Sequence, residues 1–211
     1  CFTRPEFKVE RVTYEVMTPS GARGILEAIF WKPEIAWTVE RILVLKPIRH
    51  IAFLRNEVSS KIAPKTVLQW ISGRKPVTPL LADKDKERAQ RHTVALRDVA
   101  YIIEARIRLR NGARNLAKYI AMFQRRVEKG QCRTRPYLGC REFAAYFAPP
   151  DGDEQPIAYS EDLGRMLFDL RYDREKGRAD PIFFHARLQN GVLEVPQHLY
   201  EVIYDDLAPA V

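Results

Sequence analysis

The sequence is poor in the residues that announce extracellular or metal chemistry. Only three cysteines occur, Cys1, Cys132 and Cys140, and none forms a CxxC pair. A disulfide framework is therefore not expected, and a four-thiolate zinc site is excluded. Four histidines, His50, His92, His185 and His198, are scattered with neither HxH nor HExxH spacing, so no metal is expected. No apolar run approaches the roughly 18 residues of a membrane helix. One of the longest, Ala100-Tyr-Ile-Ile103, is broken at once by Glu104, so a membrane partner is not expected. The opening Cys1-Phe-Thr-Arg-Pro-Glu-Phe-Lys8 has no apolar leader core, so no secretory signal is expected. It begins on Cys rather than Met, which reads as a start partway into a longer chain. The expectation is a reduced, cytoplasmic protein without a cofactor.

What is present is ordinary for a folded chain. Of 211 residues, 46% are hydrophobic and 29% charged, which excludes wholesale disorder. The net charge is +8, and its placement matters more than its size. Residues 106–141, about a sixth of the chain, hold eleven Lys and Arg against one acid, Glu128, giving +10. Residues 151–211 hold six basic and thirteen acidic groups, giving −7. Such clustering is the electrostatic footprint of a polyanion binder, although a charge run is as often a solvated face.

The pattern along the chain is α+β. Phe7–Met17 alternates like a strand, and Thr18-Pro-Ser-Gly21 caps a short helix through Ile25, Leu26, Ile29 and Phe30 that ends before Pro33. Ile35–Leu45 reads as a second strand, with Ile51–Leu54 pairing back onto it. Residues 59–92 read as an insertion or long hairpin loop, with Asp83–Arg88 a solvated charge run. The clearest strand has Val99, Tyr101, Ile103, Ala105, Ile107 and Leu109 on one face, and Arg106, Arg108 and Arg110 as a ladder on the other. The ladder needs an anion opposite it, either carboxylates of a neighbouring strand or phosphate. Asn111-Gly112 marks a turn. An amphipathic helix over 115–129 follows, with a core stripe of Leu116, Ile120, Phe123 and Val127. Arg114, Lys118 and Arg125 lie on another face of that helix. Gly130–Gly139 reads as a glycine-bounded basic loop carrying Arg133 and Arg135, whose amides can approach phosphate, leading into a strand Arg141–Phe147. Ala148-Pro-Pro-Asp-Gly-Asp-Glu154 is the boundary candidate, dividing residues 1–147 from a small acidic antiparallel β domain, 148–211, with a hairpin turn at Asn190-Gly191.

Several motifs occur together in order: Arg-Gly-Ile-Leu-Glu-Ala-Ile-Phe-Trp-Lys-Pro (23–33), Val-Leu-Lys-Pro-Ile (44–48), Arg-Asn-Glu-Val (55–58), Leu-Arg-Asp-Val-Ala-Tyr (96–101) and Lys-Gly-Gln-Cys…Pro-Tyr-Leu-Gly-Cys-Arg-Glu-Phe (129–143). With them the chain resembles a CRISPR-associated family, the d variant of the fifth such family, found in subtype I-C Cascade. The resemblance spans most of residues 2–147. It implies a ferredoxin-like (RRM-type) N-terminal domain and a small β domain, and it places the family's first strand upstream of Cys1. It also implies a metal-independent endoribonuclease that cuts CRISPR repeat RNA at the base of its hairpin. Such a protein stays on the crRNA 5′ handle and assembles with the backbone and large Cascade subunits.

Metal-free RNA cleavage proceeds by attack of the 2′-OH on the adjacent phosphate. It needs a group to take that proton, a cation to stabilise the phosphorane and a donor to the leaving 5′-oxygen. The resemblance carries the family's tyrosine to Phe30 and its Lys-His pair to Lys118 and Tyr119, so only Lys118 is retained. A tyrosine ordinarily titrates near ~10 and a histidine near ~6.5, which makes tyrosine the poorer base at neutral pH. Either Lys118 and Tyr119 do the work, helped by His50 or His92, or cleavage is weak and the chain is a crRNA-binding scaffold. A protein acting on duplex DNA stays open as a third class, since a basic patch does not distinguish polyanions. The candidate RNA contacts are Arg106, Arg108, Arg110, Arg114, Arg125, Arg126, Lys129, Arg133, Arg135 and Gly139. Base recognition is expected from Trp31, Tyr137 or the 59–92 insertion.

Overall fold

The N-cap at Thr18 shows how local sequence sets the first helix. Thr18 is extended and its Oγ1 accepts from the Gly21 amide at 3.2 Å, while Pro19 occupies the first helical position, where no amide is needed. The computed structural model describes residues 1–7, 9–81, 88–110, 112–173, 177–204 and 207. The turn residue Asn111 and the charged run Asp83–Glu87 lie outside them. In chain order the elements are β1 (Arg11–Val12), α1 (Pro19–Ile29), β2 (Ile35–Val44), β3 (His50–Val58), α2 (Pro64–Ile71), β4 (Arg88–Leu96), β5 (Tyr101–Leu109), α3 (Leu116–Glu128), β6 (Glu161–Asp173), β7 (Arg178–Gln189), β8 (Val192–Glu194) and, after a single 3-10 turn, α4 (Tyr200–Ile203). The fold is a mixed α+β arrangement of two sheets and four helices among the described residues.

The larger sheet has the order β5-β2-β8-β7-β6. Inside it, between β5 and β8, runs β2, Ile-Ala-Trp-Thr-Val-Glu-Arg-Ile-Leu-Val, whose first half, Ile35–Val39, is apolar but for Thr38 and buried on both faces, as an interior strand requires. β5 pairs antiparallel along one edge of β2 and β8 along the other. Strands on both sides of Ala148–Glu154 therefore share one sheet. They also share one core, in which Met166, Phe168, Leu188, Leu193 and Tyr200 pack with Val16, Ile35, Trp37 and Val39. The β7–β8 turn is Asn190-Gly191, both at positive φ. At Gly191 a Cβ would lie 2.4 Å from the Ile157 carbonyl oxygen, so only glycine admits that strand-to-coil approach.

Three expected strands come out differently. Phe7–Met17 yields only the two-residue β1, parallel to β4, because Tyr14, Val16 and Met17 all sink into the core and leave no alternating exposed face. Ile51–Leu54 lies within β3, but β3 pairs along its whole length with β4 rather than with β2. Both edges of β2 are already occupied, so the hairpin forms its own three-stranded sheet, β1-β4-β3. Within the expected insertion, α2 lies between the two hairpin strands. Arg141–Phe147 is not a strand: a lone bridge joins Tyr137 to Ala144, and the Leu138 amide donates to the Phe143 carbonyl at 2.7 Å across a tight turn.

Candidate nucleic-acid interface

The last carbonyls of a helix have no intrahelical partner, and at the end of α1 the surroundings supply partners for those of Ala28, Ile29 and Phe30. The amides of Arg133 and Thr134 both donate to the Ala28 carbonyl, at 2.8 and 3.1 Å. The Arg126 Nη1 donates to the Ile29 carbonyl at 2.7 Å, a cation at the negative end of the helix dipole. The Trp37 indole donates to the Phe30 carbonyl at 2.9 Å. The end of α1, the last turn of α3 and the basic loop are thereby tied together.

α3 lies on the sheet through an edge-on contact of Phe123 with Trp37, ring centroids 4.7 Å apart. Its N-cap is Asn115, whose Oδ1 accepts from the Lys118 amide. The inward stripe is Tyr119, Met122, Phe123 and Val127 rather than the expected Leu116, Ile120, Phe123 and Val127. Leu116 and Ile120 face solvent instead. Periodicity permitted either stripe, and the larger, flatter Tyr119 fills the space beside the sheet.

The proposed catalytic positions separate by burial. Phe30 is fully buried and has no polar side-chain atom; Tyr119 is 8% exposed; Lys118 is exposed, its Nζ 5.8 Å from the Tyr119 ring centroid. Arg114, Arg125, Lys129, Arg133 and Arg135 are exposed around them. Arg126 is half-buried against Phe30, its guanidinium 5.5 Å from that ring, so it serves the fold as well as the basic surface. Arg133 lies over Trp31, its guanidinium 5.2 Å from the ring centroid. Gly139 has its open face filled by protein: a Cβ there would lie 2.2 Å from the Cys1 carbonyl oxygen, so its missing side chain admits the N-terminal backbone.

The arginine ladder is elsewhere. Trp37, which touches α3, pairs with Ile107, so the Ile107 face is the α3 face and Arg106 and Arg108 point to the other side. Arg106 is ion-paired with Glu40 of β2 at 2.7 Å while remaining 72% exposed. Arg110 lies 5.1 Å over the Tyr204 ring and donates to the Ile35 carbonyl. Burial pushes the Tyr204 hydroxyl up to about 12, against the pull of nearby Arg23, so it stays neutral beneath Arg110. The carboxylate explanation of the ladder therefore holds for Arg106.

Among the described residues no three His, Cys, Asp or Glu side chains group as metal ligands. No helix among them is long and apolar enough to cross a membrane. The model of a family described as CRISPR-associated protein (Cas_Cas5) matches residues 1–196. The chain belongs to this family. Two relatives named CRISPR pre-crRNA endoribonuclease Cas5d are each 46% identical to it. That of Thermus thermophilus aligns over 97% of this chain and 90% of its own length, and that of Mannheimia succiniciproducens over 96% and 93%. Two solved structures share the fold: a functionally uncharacterized protein of Streptococcus mutans and a CRISPR-associated protein. The first has TM-score 0.62 at 18% identity, covering 93% of this chain and 87% of that one. The second has TM-score 0.60 at 21% identity, covering 89% and 84%.

Two features of this family member escaped the sequence reading. Arg126, a candidate RNA contact by its place in the basic segment, also closes α1, and the Trp31–Arg133 pair joins residues far apart in sequence. The i,i+3 and i,i+4 pattern of α3 placed Arg126 beside the inward stripe and was the available signal for the first; the second had none.

Proposed function

We propose that this chain is a pre-crRNA endoribonuclease that cuts CRISPR repeat RNA without metal. The observation that carries the reading is the 46% identity, over nearly the whole chain, to two proteins of that name. The geometry supplies a compatible surface: exposed Lys118, Arg125, Lys129, Arg133 and Arg135 beside the tied end of α1. In the reaction, the 2′-oxygen bonds to phosphorus and the P–O5′ bond breaks, leaving a 2′,3′-cyclic phosphate and a 5′-hydroxyl. Lys118 stabilises the charge of the phosphorane, or supplies the proton to the leaving oxygen. Tyr119, helped by His50 of β3 or His92 of β4, is left as the group that takes the 2′-OH proton. The product stays bound as a 5′ handle while the protein joins the backbone and large subunits of Cascade in the cytoplasm. The order α1, β2, β5, α3, with β2 and β5 antiparallel, supports a ferredoxin-like (RRM-type) core interrupted by the β3–β4 hairpin. Residues 1–147 would then carry RNA processing and the acidic 148–211 would buttress them.

A second reading is favoured by one observation. Phe30 is wholly buried without a hydroxyl and Tyr119 nearly so, which suits a crRNA-binding scaffold that does not cut. Incubation with the cognate repeat RNA in EDTA, with product ends mapped, decides between them. A single cut with a cyclic phosphate is expected. Tight binding with no product in EDTA or magnesium supports the scaffold, and neither binding nor cutting overturns both.

A further inference from the structure

We propose that Trp31 is the stacking platform for one unpaired nucleobase of the RNA, with Arg133 as the other jaw of the clamp. The proposal rests on the RNA-processing reading and names where that reading's base recognition lies. Trp31 is 39% exposed, an unusual degree for a residue with so much apolar surface. Its backbone is held on both sides. The Phe30 carbonyl before it is bound by the Trp37 indole, and the Ile35 amide closes onto the Lys32 carbonyl after it. The ring is thus presented from a fixed base rather than from a free loop.

Arg133 completes the arrangement. Its guanidinium lies 5.2 Å from the Trp31 ring centroid, and its own amide is fastened to the Ala28 carbonyl. Both jaws therefore hang from the same helix end. A guanidinium over an indole is held by the ring's electron-rich face, and it can lift from the ring to admit a base between the two planes while its outer N–H groups meet a neighbouring phosphate. Exposed Arg135 belongs to the same loop, so a polyanion backbone passing here meets charge beside the platform. Tyr137 is also exposed, at 40%, but among the described residues no cation is stacked on it, and Trp70 is half-buried on α2.

A base inside a duplex already has stacking partners on both faces, so this clamp selects a nucleotide outside the paired stem of the repeat. Aromatic stacking of single-stranded bases is the usual route to such recognition.

The test measures Kd for the cognate repeat RNA with the wild type, Trp31→Ala and Trp31→Phe, each checked for an unchanged melting temperature. Each unpaired nucleotide is replaced in turn by an abasic one. Trp31→Ala is expected to weaken binding by roughly tenfold to a hundredfold, with Trp31→Phe recovering most of it. One abasic position should weaken the wild type to a similar degree and make no further difference to Trp31→Ala. Unchanged affinity of Trp31→Ala overturns the proposal. So does an abasic scan whose losses are the same in both proteins, because Trp31 then only supports the fold. A wild type that does not bind the repeat RNA overturns the functional reading itself, a result distinct from either.

Discussion

On α1 and β5, arginines meet carboxylates that the fold supplies, whereas between residues 114 and 135 the same residue type meets backbone, rings and solvent. Arg23 grips Asp169 with two hydrogen bonds, 2.5 and 2.8 Å, and Glu27 with a third. Arg106 faces Glu40. Arg114, Arg125, Lys129 and Arg135, by contrast, have no carboxylate within ion-pair distance among the described residues. A cation already neutralised within the fold contributes little to capturing phosphate, and an unmatched one releases counterions when it does. Net charge alone therefore misplaces the binding surface, and the difference between the two regions tells which substitutions damage the fold and which damage binding.

The largest effect should come from breaking the matched region at Asp169. Its carboxylate is 2% exposed. Burial alone would push Arg23 toward neutrality, and the hydrogen bonds and charge of Asp169 more than reverse this, holding it well above the ordinary arginine value. Asp169→Ala leaves a buried guanidinium without its main partner and should cost about 3 kcal/mol or more in urea unfolding. RNA affinity of the folded fraction should stay within about twofold. A large loss of affinity at full folding would erase the distinction between the regions.

Lys118→Ala probes the other side. Cleavage should fall about a hundredfold, the usual cost of removing a charge that stabilises the transition state, while the melting temperature stays put. Lys118→Arg should recover part of the rate. Unchanged single-turnover cleavage would remove Lys118 from the chemistry.

Much of this contrast was legible in sequence, and the remainder was not, for physical reasons. Thr18, Pro19 and Pro33 delimit α1 by local rules, and the period-two run of β5 and the Asn190-Gly191 turn are equally local. The pairing of β3 with β4 depends on which edges of β2 are free, and that is settled by β8, some 150 residues away in the chain. The burial of Tyr119 was hidden because periodicity fixes a helix's stripes without saying which one the neighbouring sheet will cover, whereas Phe30 ends the apolar series of α1 and was legible as core. The pairing of Arg106 with Glu40 depends on strand register and on the irregularity of β2 between Val39 and Arg41, which no composition count contains.

Salt dependence separates the regions more finely. Replacing Arg125, Lys129 and Arg135 by alanine should lower the slope of log K against log salt by about 2, at roughly 0.7 per phosphate contact on a single strand. Replacing Arg106, Arg108 and Arg110 should lower it by less, because Arg106 already faces Glu40 and the ladder lies on the far side of the sheet from α3. Equal slopes would show that the RNA wraps both faces.

The smallest effect lies at Glu142, which joins β1 and β3 to the turn after the basic loop. Its Oε1 accepts from Arg11 and Arg55, both at 2.5 Å, and Glu57 is a further partner to both arginines at 3.2 and 3.5 Å. Partial burial opposes its ionisation, yet a backbone hydrogen bond and the two guanidiniums outweigh that and hold its carboxyl below the usual range. A depressed carboxyl stabilises the fold above its unfolded-state pKa, and that contribution is lost as pH falls through the folded value. With the side chain 37% exposed, solvent screening limits the effect, so Glu142→Gln should lower the melting temperature by about one to three degrees at pH 7. The gap from wild type should begin to narrow as the pH falls below the unfolded-state glutamate value of about 4.3, and close once it passes below the depressed folded value, where both proteins carry a neutral group; a gap that persists there would assign the loss to packing instead. The RNA salt slope should not change, since Glu57 still holds Arg11 and Arg55. A steeper slope would mean that a matched arginine, once released, becomes a phosphate contact, and the two regions would then differ only in whether a carboxylate happens to sit nearby.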